Sequence, residues 1–435
     1  MTIAAAWQEH LRGARWFGGK GLGARVARIT ALPWYTAAGA WPAVRSELAE
    51  IAYDDGRTEI YQLVVSYLPA GTAPAGLAVA TATVAGLGRV DLLDAPSHPE
   101  SAAALVRALR ETPGPGMHWQ DASPVEVEAE IRLFTGEQSN TTVMVGQTTL
   151  LKLFRKLEPG RNLDAEVLGA LSGSGITPDL YGTLSADGYD LAIFCQRITG
   201  ITDGWVYATD ACAAGRDIST ECRQLGEELR DLHARLATAF GTSTRPGSDL
   251  TADMVHRFDR AADQVRELDA YRRAARLLFE APSGHDLATQ RVHGDFHLGQ
   301  VLHRDAPGAS PWVIIDFEGE PLKTLAERRA FDSVWRDVAG LLRSLDYARS
   351  AHADPDGTEA REWCTAAREA FLSGYSGRHR AEPALLRAYE LDKAVYEVVY
   401  EVRNRPNWAH IPWRAVQDEA RRVSLDPPAP TQEEQ

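Results

Sequence analysis

The residues whose types and spacing could do chemistry lie in one run, His293-Gly294-Asp295-Phe296-His297-Leu298-Gly299-Gln300, and in Ile315-Asp316-Phe317-Glu318 shortly after it. Asp295 can orient an attacking hydroxyl and take its proton. Gln300, through its side-chain oxygen, and Asp316 offer hard oxygen donors of the kind that hold Mg²⁺. A carboxylate base beside a divalent ion suits phosphoryl transfer, which depends on positioning and charge neutralisation. Asp316 follows an apolar run, residues 312–315, that reads as a buried strand. A lone His-Gly-Asp is a common turn. Two matched elements in this order, joined by a hairpin over residues 303–310 with Asp305, Pro307 and Gly308, are much rarer.

The order is that of the kinase signature H-R-D-x-x-x-x-N followed by D-F-G. Gly294 replaces the Arg, Gln300 the Asn and Glu318 the Gly. With ATP as donor, a cation is needed on its phosphates. Lys152, in the third of three short strands, is the candidate. Glu166 on the following helix is its expected carboxylate partner, with Asp164 the weaker option. There is no G-x-G-x-x-G; Gln138-Ser139-Asn140-Thr141-Thr142 occupies its place, either to contact phosphate or as a plain polar hairpin. Gln196-Arg197-Ile198, after an apolar strand at 191–194, is the expected adenine hinge, read through backbone groups. His293 is expected to buttress the catalytic loop, and His297 to face the substrate or do the same. Two histidines four apart without a third ligand do not make a zinc site.

Around these residues the chain divides into three. Residues 1–124 carry the cluster Trp16-Phe17-Gly18-Gly19-Lys20 and alternating runs at 26–34, 48–53 and 59–67, with Asp54-Asp55-Gly56-Arg57 as a hairpin turn. This is a small α/β or mostly antiparallel cap. Residues 69–88 are rich in Ala, Gly, Thr and Pro and read equally as a connection or as strands. Residues 125–204 hold strands near 129–134, 141–145 and 149–154, a helix over 163–171, then the strand leading to the hinge, which is the order of a kinase N-lobe. Residues 205–435 are mostly helical. Leu225, Leu229, Leu232, Leu236 and Phe240 form one apolar helix face. Further helices are expected over 254–279, 328–347, 366–375 and 384–403, with a Pro/Glu/Gln tail from 426 expected to be disordered.

The net charge of −14 argues against nucleic acid or an anionic membrane surface as a partner, since both want a basic face. Four scattered cysteines, Cys195, Cys212, Cys222 and Cys364, suggest neither a disulfide scaffold nor a zinc site. No signal-peptide core and no long uncharged apolar stretch is present, so a cytoplasmic enzyme is expected.

At this point the residues resemble a family: the aminoglycoside phosphotransferase-type kinases, and more closely the bacterial maltokinases with their actinobacterial glucosamine-kinase relatives. The strings that carry it are Arg15-Trp16-Phe17 with Gly19-Lys20, Glu137-Gln138-Ser139-Asn140-Thr141, residues 292–302, residues 315–321, Arg336-Asp337-Val338-Ala339-Gly340 and residues 389–397. The resemblance implies an α+β, two-lobed, protein-kinase-like fold with an N-terminal cap and a mostly helical C-lobe. It also implies ATP-dependent phosphorylation of a sugar hydroxyl. Mg²⁺ is the metal expected from the oxygen donors, and a monomer or weak homodimer acting on a small sugar is the expected working form. Arg336 and Asp337 are expected to pair near the catalytic loop.

The sugar is less determined. Arg403-Asn404-Arg405-Pro406 stands where maltokinases tend to show Arg-His-Arg-Pro. Val398-Val399 and residues 409–413 also differ from the maltokinase pattern. Larger groups there suggest a tighter pocket, suited to a monosaccharide. An amino sugar, partly cationic, would suit Asp295, Glu397 or Glu401. His297, Glu318, Asn404 and Trp408 complete the expected acceptor set. Glucosamine is favoured over maltose; aminoglycoside modification, which would want an open acidic cleft, and a non-catalytic pseudokinase are the other readings.

Overall fold

The computed structural model describes residues 2–37, 39–111, 114, 116–136, 139–282, 284–305, 310–320, 323–376 and 383–425. Gln138, the hairpin tip at 306–309 and the expected disordered tail lie outside them. The chain forms two compact units: Met1–Ser174 with Pro178–Thr199, and Gly175–Thr177 with Gly200–Gln435.

The first unit opens with α1 (Ile3–Gly13), whose Trp7 and Leu11, one turn apart, enter the core. Strands β1 (Arg25–Trp34), β2 (Ala43–Ala52), β3 (Thr58–Pro69), β4 (Ala80–Val84) and β5 (Gly88–Asp94) follow, then α2 (Pro99–Glu111). They form an antiparallel sheet in the order β1-β2-β3-β5-β4. Tyr61, Leu63, Val65 and Tyr67 of β3 alternate into one core with Trp7, Phe17, Val90 and Leu92. The expected turn is made at Gly56, whose φ of +86° suits glycine; its N–H donates to the Tyr53 carbonyl. The Ala/Gly/Thr/Pro-rich stretch is in part a connection, over residues 70–79, and in part the edge strand β4, whose small residues pair with β5.

The second sheet runs β6 (Met117–Trp119), β11 (Leu180–Ala186), β12 (Tyr189–Gln196), β9 (Thr149–Leu153), β8 (Thr141–Val145), β7 (Ile131–Leu133), all antiparallel. The short β10 (Lys156–Leu157) leaves it to pair with the first half of β3. Helix α3 (Leu163–Leu171) starts where Asn162 caps it, its side chain accepting the N–H groups of Asp164 and Ala165. A buried arginine joins the two sheets. Arg155, fully buried, pairs with Asp94 through both terminal nitrogens (3.0 and 2.8 Å) and lies over the Trp16 ring. A guanidinium without water needs such bidentate compensation.

The second unit is helical around a small sheet of β13 (Ile201–Asp203), β16 (Val301–Arg304) and β17 (Trp312–Ile314), and a two-stranded ribbon of β14 (Thr242–Pro246) and β15 (Asp286–Gln290). Its helices are α4 (Gly204–Ala213), α5 (Ser219–Phe240), α6 (Gly247–Gln264), α7 (Arg272–Glu280), α8 (Leu325–Arg329), α9 (Trp335–Ala348), α10 (Thr358–Ser376), α11 (Pro383–Asn404) and α12 (His410–Leu425). The Leu225, Leu229, Leu232 and Leu236 stripe of α5 is buried, as its spacing requires. Two expected helices are each broken. The segment 254–279 divides at Val265, which is extended (φ −131°, ψ 91°) before a 3-10 turn that buries Leu268. The segment 328–347 divides because Asp332 is drawn into an antiparallel bridge with Gln290. That bridge uses two backbone bonds that a continuous helix could not make. All four cysteines are buried and free.

Candidate phosphotransferase site

The catalytic loop leaves β15 and is held from beneath by α9. Asp337 accepts the backbone N–H of His293 at 2.7 Å and of Gly294 at 2.8 Å. Its Oδ2 is also 2.9 Å from His233 Nε2, and His233 Nδ1 meets the Tyr375 hydroxyl at 2.9 Å. Burial alone would raise the Asp337 pKa; the His233 hydrogen bond and neighbouring charges outweigh it and hold the carboxyl below its ordinary range. Arg336 and Asp337 therefore do not act on each other as expected. Successive helical residues point about 100° apart, so Asp337 holds loop amides while Arg336 donates to the Gly294 carbonyl (3.1 Å) and pairs with Glu320 and Asp332.

Two glycines allow this packing. Gly294 has φ +85°, the left-handed turn that aims Asp295. Gly340 lets α9 close on the loop: a Cβ there would stand 2.4 Å from the Phe296 carbonyl oxygen. His293 buttresses as expected, with Nε2 at 2.9 Å from the Ile315 carbonyl. His297 Nδ1 accepts the Gly299 N–H (3.1 Å), and its Nε2 lies 4.0 Å from Asp295 Oδ2. Desolvation lowers its pKa, against the opposing charge of Asp295.

Gln300 and Asp316 converge as their strand positions require. Gln300 leads into β16, Asp316 follows β17, and Gln300 Nε2 lies 3.3 Å from Asp316 Oδ2. Asp316 has φ +63°, a left-handed conformation that is uncommon for a non-glycine residue and better tolerated by Asp than by most. Glu318, expected at the acceptor, places a carboxylate oxygen within 4.8 Å of one from Asp316, on the side of the metal candidates.

One cation here was not foreseen. Lys393 of α11 donates to Asp295 Oδ1 (3.0 Å) and Glu320 Oε1 (3.1 Å). Burial would lower its pKa, but the charges of Asp295 and Glu320 prevail and raise it, so Lys393 stays an ammonium. Glu320 is in turn held well below the ordinary carboxylate range: burial opposes this, and Arg336, Lys393 and Lys323 overcome it. Local sequence gave no sign of either role, since the partners are 98 and 73 positions apart.

Asp295 lines a cavity of about 1020 Å³ with Glu320, Arg336, Lys393, Tyr396, Val399, Tyr400 and Asn404. The cavity is not tight. Of the bulky pair at 398–399 only Val399 reaches it, because Val398 is turned into the core and is fully buried. Its walls are not acidic either, carrying seven Lys and Arg against six Asp and Glu. Asn404 lines it. Glu397, Glu401 and Trp408 are not among its lining residues; they turn toward α9. Glu397 pairs with Arg343 (2.8 Å), Glu401 accepts from the Tyr347 hydroxyl (3.4 Å), and Trp408 stacks on the Tyr347 ring at 6.3 Å.

In the first unit Lys152 of β9 reaches Asp164 at 2.9 Å, so the weaker expectation for its carboxylate partner is the pair the structure makes. Asp164 sits in the first turn of α3, turned inward and 3% exposed, whereas Glu166, half-buried, stands two residues later. Asn140 and Thr141 are both buried on Arg155: Asn140 Oδ1 accepts its backbone N–H (3.1 Å) and Thr141 Oγ1 its Nε–H (2.7 Å). They serve the join between the sheets, while Ser139 is exposed. At the expected hinge, the N–H groups of Gln196 and Arg197 donate to the carbonyls of Asp179 and Thr148 (2.8 Å each).

The antiparallel sheet with its helix α3, followed by the helical second unit with the Asp295 loop on its glycine turn, has the layout of a phosphotransferase. The model of the phosphotransferase enzyme family matches residues 130–386, and the chain belongs to that family. Among relatives, a glucosamine kinase of Streptacidiphilus jiangxiensis is 29% identical over 330 residues, 67% of this chain and 73% of the relative. A glucosamine kinase of Mycolicibacterium smegmatis is 28% identical over 364 residues, 72% and 86%. A solved glucosamine kinase in complex with glucosamine, ADP and inorganic phosphate superposes with a TM-score of 0.66 at 22% identity, covering 95% of this chain and 98% of that one, and so shares the fold.

Proposed function

We propose that the chain is an ATP-dependent sugar kinase that phosphorylates glucosamine to glucosamine 6-phosphate. The observation that carries this reading is Asp295, presented on the Gly294 turn into a cavity wide enough for a sugar. Both relatives described above bear the name glucosamine kinase.

The sugar 6-hydroxyl lies against Asp295 in this reading, and its oxygen bonds to the γ-phosphorus as the bond from phosphorus to the β-phosphate oxygen breaks. ADP leaves and the hydroxyl proton passes to Asp295. Lys152, held by Asp164, contacts the donor phosphates. Gln300, with its amide oxygen turned inward, and Asp316 suit a hard divalent ion such as Mg²⁺; amide oxygen and nitrogen are interchangeable by rotation. When bound, that ion neutralises charge on the phosphate oxygens. No helix among the described residues is long and apolar enough to cross a membrane. We read the working form as a monomer or weak homodimer acting on small molecules.

A polycationic aminoglycoside is disfavoured by a cavity with more cations than carboxylates. Maltose is the second reading, because about 1020 Å³ also admits a disaccharide. ATP consumption should be measured with glucosamine, glucose, maltose and an aminoglycoside. Turnover with glucosamine, abolished by Asp295→Asn and by Mg²⁺ chelation while ATP still protects Asp295→Asn from unfolding, is expected. Phosphorylation of maltose but not glucosamine overturns the acceptor, and no turnover with any of them overturns the kinase.

A further inference from the structure

The contacts around Asp295 close into a ring. Lys393 Nζ joins Asp295 Oδ1 to Glu320 Oε1, at 3.0 and 3.1 Å. Glu320 Oε2 accepts from Arg336 Nη2 at 2.8 Å. Arg336 Nε donates to the carbonyl of Gly294, the residue before Asp295, at 3.1 Å. One clamp therefore grips the side chain of Asp295 from α11 and its backbone from α9, with Glu320 as the link. The two oxygens of Asp295 are left unequal. Oδ1 is engaged by an ammonium, while the charged or titratable neighbour recorded beside Oδ2 is His297 at 4.0 Å.

A buried network of this kind is weak evidence for stability, because desolvation offsets most of the attraction. It does fix geometry, and that matters for a base that must meet a hydroxyl in line with a phosphorus atom. Lysine is also a flexible, strongly hydrated point charge, so its side chain is held at 19% exposure only because two carboxylates receive it. The neighbouring Asp392 is occupied elsewhere, on Arg257 of α6 at 2.8 Å, which pins α11 at this level.

We propose that Lys393 is a positioning residue for phosphoryl transfer: it holds Oδ1 of Asp295 and so presents Oδ2 to the acceptor hydroxyl. The proposal rests on the kinase reading above.

The test compares the wild-type enzyme with Lys393→Met, Lys393→Arg and Lys393→Ala, using ATP and glucosamine. Wild-type turnover comes first; if it is absent, the kinase reading fails rather than the clamp. With turnover present, Lys393→Met should lose about 100-fold or more in kcat, within the range general-base catalysis supplies. Its KM values for ATP and glucosamine should not rise more than about threefold, the signature of an interaction made for the transition state. Lys393→Arg should keep more activity than Lys393→Met, and ethylammonium should restore part of the kcat of Lys393→Ala without stimulating wild type. Should Lys393→Met fail to fold, Glu320→Gln, which removes the link with little change of shape, should lower kcat in the same KM-neutral way. Unchanged kcat in a folded Lys393→Met overturns the proposal. So does a loss confined to the KM for glucosamine, which would make Lys393 an acceptor contact, or the absence of any ethylammonium effect.

Discussion

His233 Nε2 lies 2.9 Å from Asp337 Oδ2, and the same carboxylate receives the backbone N–H groups of His293 and Gly294. A helix α5 imidazole thus sets, through one buried aspartate of α9, the backbone from which Asp295 projects.

Removing Asp337 should be felt in both stability and rate. Asp337→Ala leaves two loop amides and His233 without their partner, and should cost about 3–5 kcal/mol, as breaking a buried pair does. Asp337→Asn should cost less. The folded-state pKa of Asp337 is lowered, so its contribution is complete above the unfolded value of about 3.9 and is lost as pH falls through the folded value. Urea midpoints measured between pH 7 and 3 should show the gap between wild type and Asp337→Asn narrowing at the acid end. A gap that widened there would contradict the pairing.

On the nucleotide side, the Lys152–Asp164 contact ranks the two acidic residues of α3. Asp164→Asn should lower kcat/KM for ATP at least tenfold, close to the effect of Lys152→Met, and the two should not add, because one contact is removed twice. Glu166→Gln should change it less than about threefold. Initial rates over an ATP series decide between them; the reverse ranking would restore Glu166 as the working partner.

Gly340 has no side chain because none fits. Gly340→Ala places a Cβ 2.4 Å from the Phe296 carbonyl oxygen, and both atoms are tied to backbone. Overpacking of this kind should cost about 1–3 kcal/mol. Since the displaced backbone is the catalytic loop, kcat should fall further than the loss of folded protein explains. A thermal melt and a rate on the same sample check this; wild-type kcat with a lowered melting point would show that the loop tolerates the shift.

Elements marked by local punctuation were legible. The helix expected over 163–171 is Leu163–Leu171, because Asn162 caps it and Pro159-Gly160 precede it. The strand expected over 141–145 is Thr141–Val145, bounded by polar residues on one side and Gly146 on the other. The break in the segment 328–347 was not legible, since its cause is a bridge to Gln290, 42 residues away by the Asp332 numbering. Whether Asn140 and Thr141 meet phosphate or only turn a polar hairpin stayed open in the sequence, because nothing nearby announces that Arg155 will be buried against both.

By itself the amino-acid sequence determined which groups were on offer: a carboxylate at 295 and oxygen donors at 300 and 316, tied together by short spacing and strand ends, with a cation far upstream at 152. Only the tertiary structure decided which charges meet. It sent Lys393 to Asp295, Asp337 to the loop amides and Glu397 to Arg343, because a charge removed from water must find whatever opposite group the packing brings near, and no spacing along the chain encodes that neighbour.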